Sequence, residues 1–170
     1  MINRAKCGVI SITGFPNSGK STLINSFVKS KISIVSHKIQ TTQEAIKGII
    51  NISENQLIFI DTPGMIRVRK YFNKKLSRSI MENENICDIN LLVIDVTKKI
   101  EKKSFELIKE LLEICDNNFL VLNKIDLIER SKLLEISKLV NEKLNFKKTF
   151  MISAKKGEGV KSLLNEILNF

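Results

Sequence analysis

The segment Gly14-Phe15-Pro16-Asn17-Ser18-Gly19-Lys20-Ser21 has the form G-x-x-x-x-G-K-[ST], and it stands between an apolar run and an amphipathic stretch. A glycine-rich turn from strand to helix aims backbone N–H groups inward, and the helix adds the positive end of its dipole. Such a turn is a cradle for phosphate. Lys20 can reach the β- and γ-phosphates, the Ser21 hydroxyl can ligate Mg²⁺, and Thr22 can support the neighbouring phosphate. Asn17, Ser18 and Gly19 complete the cradle. By itself the loop does not choose between adenine and guanine nucleotides.

The rest of the chain alternates in period. Apolar runs at 7–13, 45–52, 56–61, 89–95, 118–122 and 147–153 read as strands. Stretches at 20–29, 71–85, 104–115, 131–144 and 160–170 read as helices. The segment 31–43 is polar and reads as loop, and 53–55 reads as the turn of a hairpin. The run INLLVID at 89–95 is nearly all apolar, as expected of a central strand buried on both faces. The pattern predicts an α/β fold with a mostly parallel six-stranded sheet and helices on both faces. In such sheets ligands bind at the C-terminal strand ends, so the loops after each apolar run are where chemistry is expected.

Three of those loops carry a pattern. The run LIFI ends in Asp61-Thr62-Pro63-Gly64. A carboxylate there suits Mg²⁺ through a water, and the Gly64 N–H can approach a γ-phosphate. The run FLVL ends in Asn123-Lys124-Ile125-Asp126, about a hundred residues after the phosphate loop. N-K-x-D in that position is a guanine signal. Asp126 can accept from the N1–H and exocyclic amine, two donors that adenine lacks. Lys124 can lie along the base, and Asn123 can tie this loop to the phosphate loop. The last strand ends in Ser153-Ala154-Lys155, which can offer a backbone N–H to the guanine O6. The segment 31–43 also offers Thr41 and Thr42, either of which can supply a hydroxyl to Mg²⁺.

With these residues in hand, the chain resembles the Era-type GTPases of the translation-factor-related class. The resemblance is carried by Gly14 to Leu23 with its Pro16-Asn17 pair, by Lys31-Ile32-Ser33-Ile34-Val35-Ser36, and by Gln40-Thr41-Thr42. It implies a Ras-like P-loop GTPase fold and slow hydrolysis of GTP to GDP with Mg²⁺. It further implies a role in maturing the small ribosomal subunit through 16S rRNA. Thr42 matches the switch threonine, so Lys20, Thr42 and Gly64 are the expected catalytic set. Met65 matches a position that is hydrophobic across the class in place of a glutamine. Asn17 matches the asparagine that helps hold K⁺ in potassium-stimulated relatives. Gln43 departs from the family's usual arginine. Era proteins also continue into an RNA-binding KH domain with a G-x-x-G loop, whereas the late glycines Gly157 and Gly159 are two apart. The expectation is therefore one Era-type G domain over residues 1–170 with no KH domain. Two other readings stay open: a guanine-nucleotide-dependent docking module with negligible hydrolysis, favoured by Met65, and a related GTPase of tRNA modification or large-subunit assembly, against which the segment Lys31 to Thr42 argues.

Composition bounds partners and compartment. Hydrophobic residues make up 43% and charged residues 27%, which excludes a mainly disordered chain. No apolar run approaches the ~20 residues needed to span a bilayer. The N-terminus does not read as a secretory signal, so a cytoplasmic monomer is expected. The net charge of +10 favours polyanionic partners such as RNA or an anionic membrane surface, and nothing further points to a membrane. Part of that charge crowds 67–78, where Arg67, Arg69, Lys70, Lys74, Lys75 and Arg78 can meet a phosphate backbone. Cys7, Cys87 and Cys115 are few, odd in number and widely spaced, and read as buried or half-buried thiols in a reducing compartment.

Overall fold

The computed structural model describes residues 6–29, 46–61, 87–113 and 115–170. Within them, six strands form one sheet: β1 (Cys7–Gly14), β2 (Ile46–Ile52), β3 (Asn55–Asp61), β4 (Ile89–Asp95), β5 (Asn118–Asn123) and β6 (Lys148–Ile152). Their order is β2-β3-β1-β4-β5-β6. Every neighbouring pair is parallel except β2 and β3, which form an antiparallel hairpin. The hairpin turns at Ser53, whose φ of 53° gives the reversal its left-handed step. Four α-helices are described: α1 (Lys20–Lys29), α2 (Lys102–Leu112), α3 (Arg130–Lys143) and α4 (Val160–Asn169). The helix expected at 71–85 and the loop at 31–43 lie outside the described residues.

The periodicities explain which face each element buries. Ile10, Ile12, Leu91, Val93, Phe119 and Val121 point to one side, where Leu23, Ile24 and Phe27 of α1 and Leu163, Leu164 and Ile167 of α4 cover them. Phe27 stacks on Phe59 with ring centroids 5.2 Å apart. Leu92, Ile94, Leu120 and Leu122 point to the other side and meet Phe105, Ile108 and Leu111 of α2 and Leu133 and Val140 of α3. All seven residues of β4 are buried, as its apolar run predicts.

Two residues of β4 are polar, Asn90 and Asp95, and the burial of Asn90 is compensated by hydrogen bonds. Its Nδ2 donates to the Asn118 Oδ1 at 2.7 Å and to the Leu111 carbonyl at 3.2 Å, while its Oδ1 accepts from the Thr13 hydroxyl at 3.0 Å. Asn118 in turn donates to the Leu112 carbonyl at 2.9 Å. Together the two asparagines satisfy orphan carbonyls at the end of α2. That is why α2 stops at Leu112, although the apolar spacing suggests helix through Cys115.

Two of the three cysteines are buried as expected. Cys7 is exposed instead, because it opens β1 at the sheet's end, where its thiol donates to Gln56 Oε1 at 3.8 Å. Among the described residues no helix is long and apolar enough to cross a membrane.

Candidate functional site

Parallel pairing brings the C-terminal strand ends into one row. Ile12 of β1 is in register with Asp61, Gly14 with Val93, Asp95 with Asn123, and Asn123 with Ile152. The phosphate loop, Asp61, Asp95, the N-K-x-D loop and Ser153 therefore emerge along the same edge. Segments distant in sequence meet here because strands that share a direction also share an exit.

The phosphate loop is held in a conformation that glycine alone fits at two places. Gly14 has φ +136°, and a Cβ there would lie 2.2 Å from the Val93 carbonyl oxygen. Gly19 has φ +97°, and a Cβ there would lie 2.2 Å from Asn123 Nδ2. Asn17 between them has φ 62°, a left-handed conformation that asparagine tolerates. Lys20 opens α1 with its side chain folded back, its Nζ donating to the carbonyls of Gly14 at 3.1 Å and Phe15 at 3.0 Å. The Ser18 hydroxyl is buried without a hydrogen-bond partner. A buried orphan hydroxyl within a curl of backbone fits a phosphate, which supplies several acceptor oxygens. Ser21 and Thr22 lie exposed in the first turn of α1, so the Ser21 hydroxyl is accessible to a metal bound beside that phosphate.

The base loop is fastened to the phosphate loop by two side chains. Asn123 is 1% exposed, and its Nδ2 donates to the Ser18 carbonyl at 2.8 Å while its Oδ1 accepts from the Ala154 N–H at 3.0 Å. One amide thus joins three loops. Lys124, at φ 71°, extends its Nζ to the Asn17 carbonyl at 2.9 Å and to Asp95 Oδ2 at 2.5 Å. Asp126 sits in the short 3₁₀ turn Ile125–Leu127 with its side chain 8% exposed, and its Oδ2 is 3.8 Å from Lys156 Nζ. Hydrogen bonding from Ser153 holds the Asp126 carboxyl below the ordinary carboxylate range, with Lys156 and Lys155 adding to this against the opposing effect of burial. It is therefore an anionic acceptor at neutral pH. Ala154 spends its N–H on Asn123, and Lys156 donates its own N–H to the Ser153 hydroxyl at 3.2 Å. Lys155 lies between them, exposed.

Asp95 is the functional candidate that sequence reasoning missed. Burial works to raise its pKa, but hydrogen bonds from Lys124 and from the hydroxyl and backbone N–H of Thr97 outweigh that, and the carboxyl is held below its usual value. Its side chain is 4% exposed and clamps the lysine that reaches the phosphate loop. The signal was available: Asp95 ends an apolar strand just as Asp61 does. Asp95→Ala is expected to weaken nucleotide binding about tenfold, the loss of one partly exposed charge-assisted hydrogen bond. Any base preference set by Asp126 should remain, because that side chain is untouched. Titration calorimetry checks this, and an affinity within twofold of wild type would contradict it.

Thr42 and Gly64 lie outside the described residues, as do Gln43, Met65 and the basic side chains of 67–78. For Asp61 the structure describes the backbone, which ends β3 one strand from the phosphate loop.

The chain is similar in sequence and in fold to known proteins. Residues 9–124 match the model of the family described as 50S ribosome-binding GTPase. GTPase Era of Mesorhizobium japonicum is 37% identical over 158 residues, which is 93% of this chain and 51% of that one. Among solved structures, Era in complex with MgGDPNP and nucleotides 1506–1542 of 16S ribosomal RNA superposes with a TM-score of 0.69 at 29% identity, covering 98% of this chain and 57% of that one. A point variant of Aquifex aeolicus Era bound to GDP and AlF₄⁻ gives 0.65 at 30% identity, covering 97% and 57%. The chain spans about half the length of the curated relatives it matches. The phosphate loop, β3, β4 and the Asn123–Lys124 clamp all fall inside the matched span, and on that ground the chain belongs to the 50S ribosome-binding GTPase family.

Proposed function

We propose that this chain is an Era-type G domain, acting in the cytoplasm, that binds GTP and GDP with Mg²⁺ and hydrolyses GTP slowly. The observation that carries the reading is Asn123, which locks the phosphate loop, the N-K-x-D loop and the Ser153–Lys155 loop into one frame. Asp126 then faces the base as a carboxylate and selects guanine through two donors that adenine lacks. Lys155, next to the engaged Ala154, supplies the N–H for the guanine O6.

On the phosphate side, Lys20 leaves its loop carbonyls for the β- and γ-phosphates, and Ser18, Gly19 and Thr22 line the cradle. Ser21 and Thr42 hold Mg²⁺, with Asp61 acting through a water, and the Gly64 N–H meets the γ-phosphate. Mg²⁺ so held would neutralise charge developing on the phosphate oxygens. Asn17 would be the residue that helps hold K⁺, which would add positive charge to the site. No covalent chemistry is asked of the chain; it positions and stabilises charge.

The wider role rests on the relatives. The neighbour that holds a 16S rRNA segment favours small-subunit assembly, with rRNA as the macromolecular partner, over the 50S particle in the family's description. A second reading is a nucleotide-dependent docking module with negligible hydrolysis. Met65 favours it, since a thioether cannot orient water by hydrogen bonding as glutamine does.

Steady-state phosphate release separates the two. The enzyme reading predicts turnover above a Lys20→Ala control by about 100-fold and higher in K⁺ than in Na⁺, with the K⁺ effect lost in Asn17→Ala. Release no faster than the Lys20→Ala control in either salt would leave the docking module.

A further inference from the structure

The end of the sheet opposite the nucleotide loops holds a pair of thiols that the proposed function does not use. Cys87 stands three residues before Asn90, and Cys115 three residues before Asn118. Asn90 and Asn118 are register partners in the parallel strands β4 and β5. The two cysteines lie the same number of residues ahead of that pair, where the chain enters the neighbouring strands; a disulfide spans a Cα separation of roughly 4.4–6.8 Å. The two residues meet: the Cys115 thiol donates to the Cys87 carbonyl at 3.1 Å. They are 4% and 3% exposed, yet exposed Asp88, Glu113 and Asp116 flank them, so the pair lies one residue beneath the surface.

We propose that Cys87 and Cys115 are a modification site, at which a peroxide oxidant closes an intramolecular disulfide between the entries of β4 and β5. In the first step one thiolate sulfur attacks the peroxide O–O bond. An S–O bond forms, the O–O bond breaks, and the leaving hydroxide takes a proton to depart as water. In the second step the other sulfur attacks the sulfenic sulfur. The S–S bond forms, the S–O bond breaks, and a second water leaves with the remaining thiol proton. Overall the two thiols give up two hydrogens and two electrons, and one peroxide becomes two waters.

The neighbouring Cys87 holds the Cys115 thiol below its ordinary value against the opposing effect of burial, while the Cys115 contact and burial push the Cys87 thiol up. Cys115 is therefore placed as the attacking sulfur, and Cys87 as the one that resolves the sulfenic acid. A dithiol reductant reverses the bond by exchange. The link encloses α2 and lies at the far end of both strands from Asp95 and Asn123, so nucleotide affinity is expected to change less than twofold.

The test uses the full chain with Cys7→Ser, which removes the exposed thiol and leaves two. The protein is treated with hydrogen peroxide, blocked with N-ethylmaleimide in denaturant, and digested for mass spectrometry. The expected result is a monomer in which both thiols are lost to alkylation, a Cys87–Cys115 peptide about 2 Da lighter than its two parts, and full recovery of both thiols with dithiothreitol. Two alkylated cysteines after peroxide, or sulfinic acid at Cys115 beside an alkylated Cys87, would overturn the proposal. Cys115→Ser in the same background should keep the Cys87 thiol under identical treatment; its loss there would also overturn it.

Discussion

Asp126→Asn is expected to lower GTP affinity by at least about 100-fold while raising affinity for xanthosine triphosphate. The carboxylate is 8% exposed on its side chain and is kept anionic by Ser153 and Lys156. In the proposed reading it would face guanine and accept two charge-assisted hydrogen bonds, each of about 1.5–3 kcal/mol. An amide in its place turns one acceptor into a donor, which then opposes a guanine donor. Xanthine presents a carbonyl where guanine has its amine, so the mutant amide finds a partner there. The sign of the change is thus opposite for the two bases, which a general loss of folding cannot reproduce. Competition against a fluorescent GDP measures both, and unchanged GTP affinity would refute the assignment of the base side.

Gly14→Ala carries the second large effect, and it acts through the backbone. The new Cβ would meet the Val93 carbonyl at 2.2 Å, in a φ of +136° that L residues rarely adopt. The clash is with backbone of the central strand β4, which is buried along its whole length and has nowhere to go. The expected cost is about 3–5 kcal/mol of stability, with nucleotide binding lost as the phosphate loop is displaced. Gly157→Ala is the control. Gly157 also has a positive φ, +77°, but nothing lies within 4 Å of its Cβ position. It should cost only the left-handed penalty of about 1–2 kcal/mol. Urea unfolding of the two variants compares them, and equal midpoints would show that the Val93 contact does not limit the loop.

The parts of this fold that were legible in the sequence are those with a local cause. The alternation of apolar runs and amphipathic stretches places all six strands and the four described helices to within a few residues, because each face is dictated by its own periodicity. The placement of the phosphate loop and the N-K-x-D loop along one edge was legible because each is a short run at a strand end. What could not be read depends on long-range partners. The end of α2 is decided by Asn90 and Asn118, which lie on two strands and look like interruptions of apolar runs. Asp95 gains its role only because β4 sits between β1 and β5, within reach of Lys124. The exposure of Cys7 follows from the strand end on which it falls, which composition does not reveal.

Competition of GTP and ATP for labelled GDP bound to this chain in Mg²⁺ tests base selection most directly. GTP is expected to displace the label while ATP is at least about 1,000-fold weaker, because adenine offers the Asp126 carboxylate neither of the two donors that guanine presents. Displacement by the two triphosphates at similar concentrations would contradict it, since Asn123, Lys124 and Asp126 would then hold a loop that does not read the base.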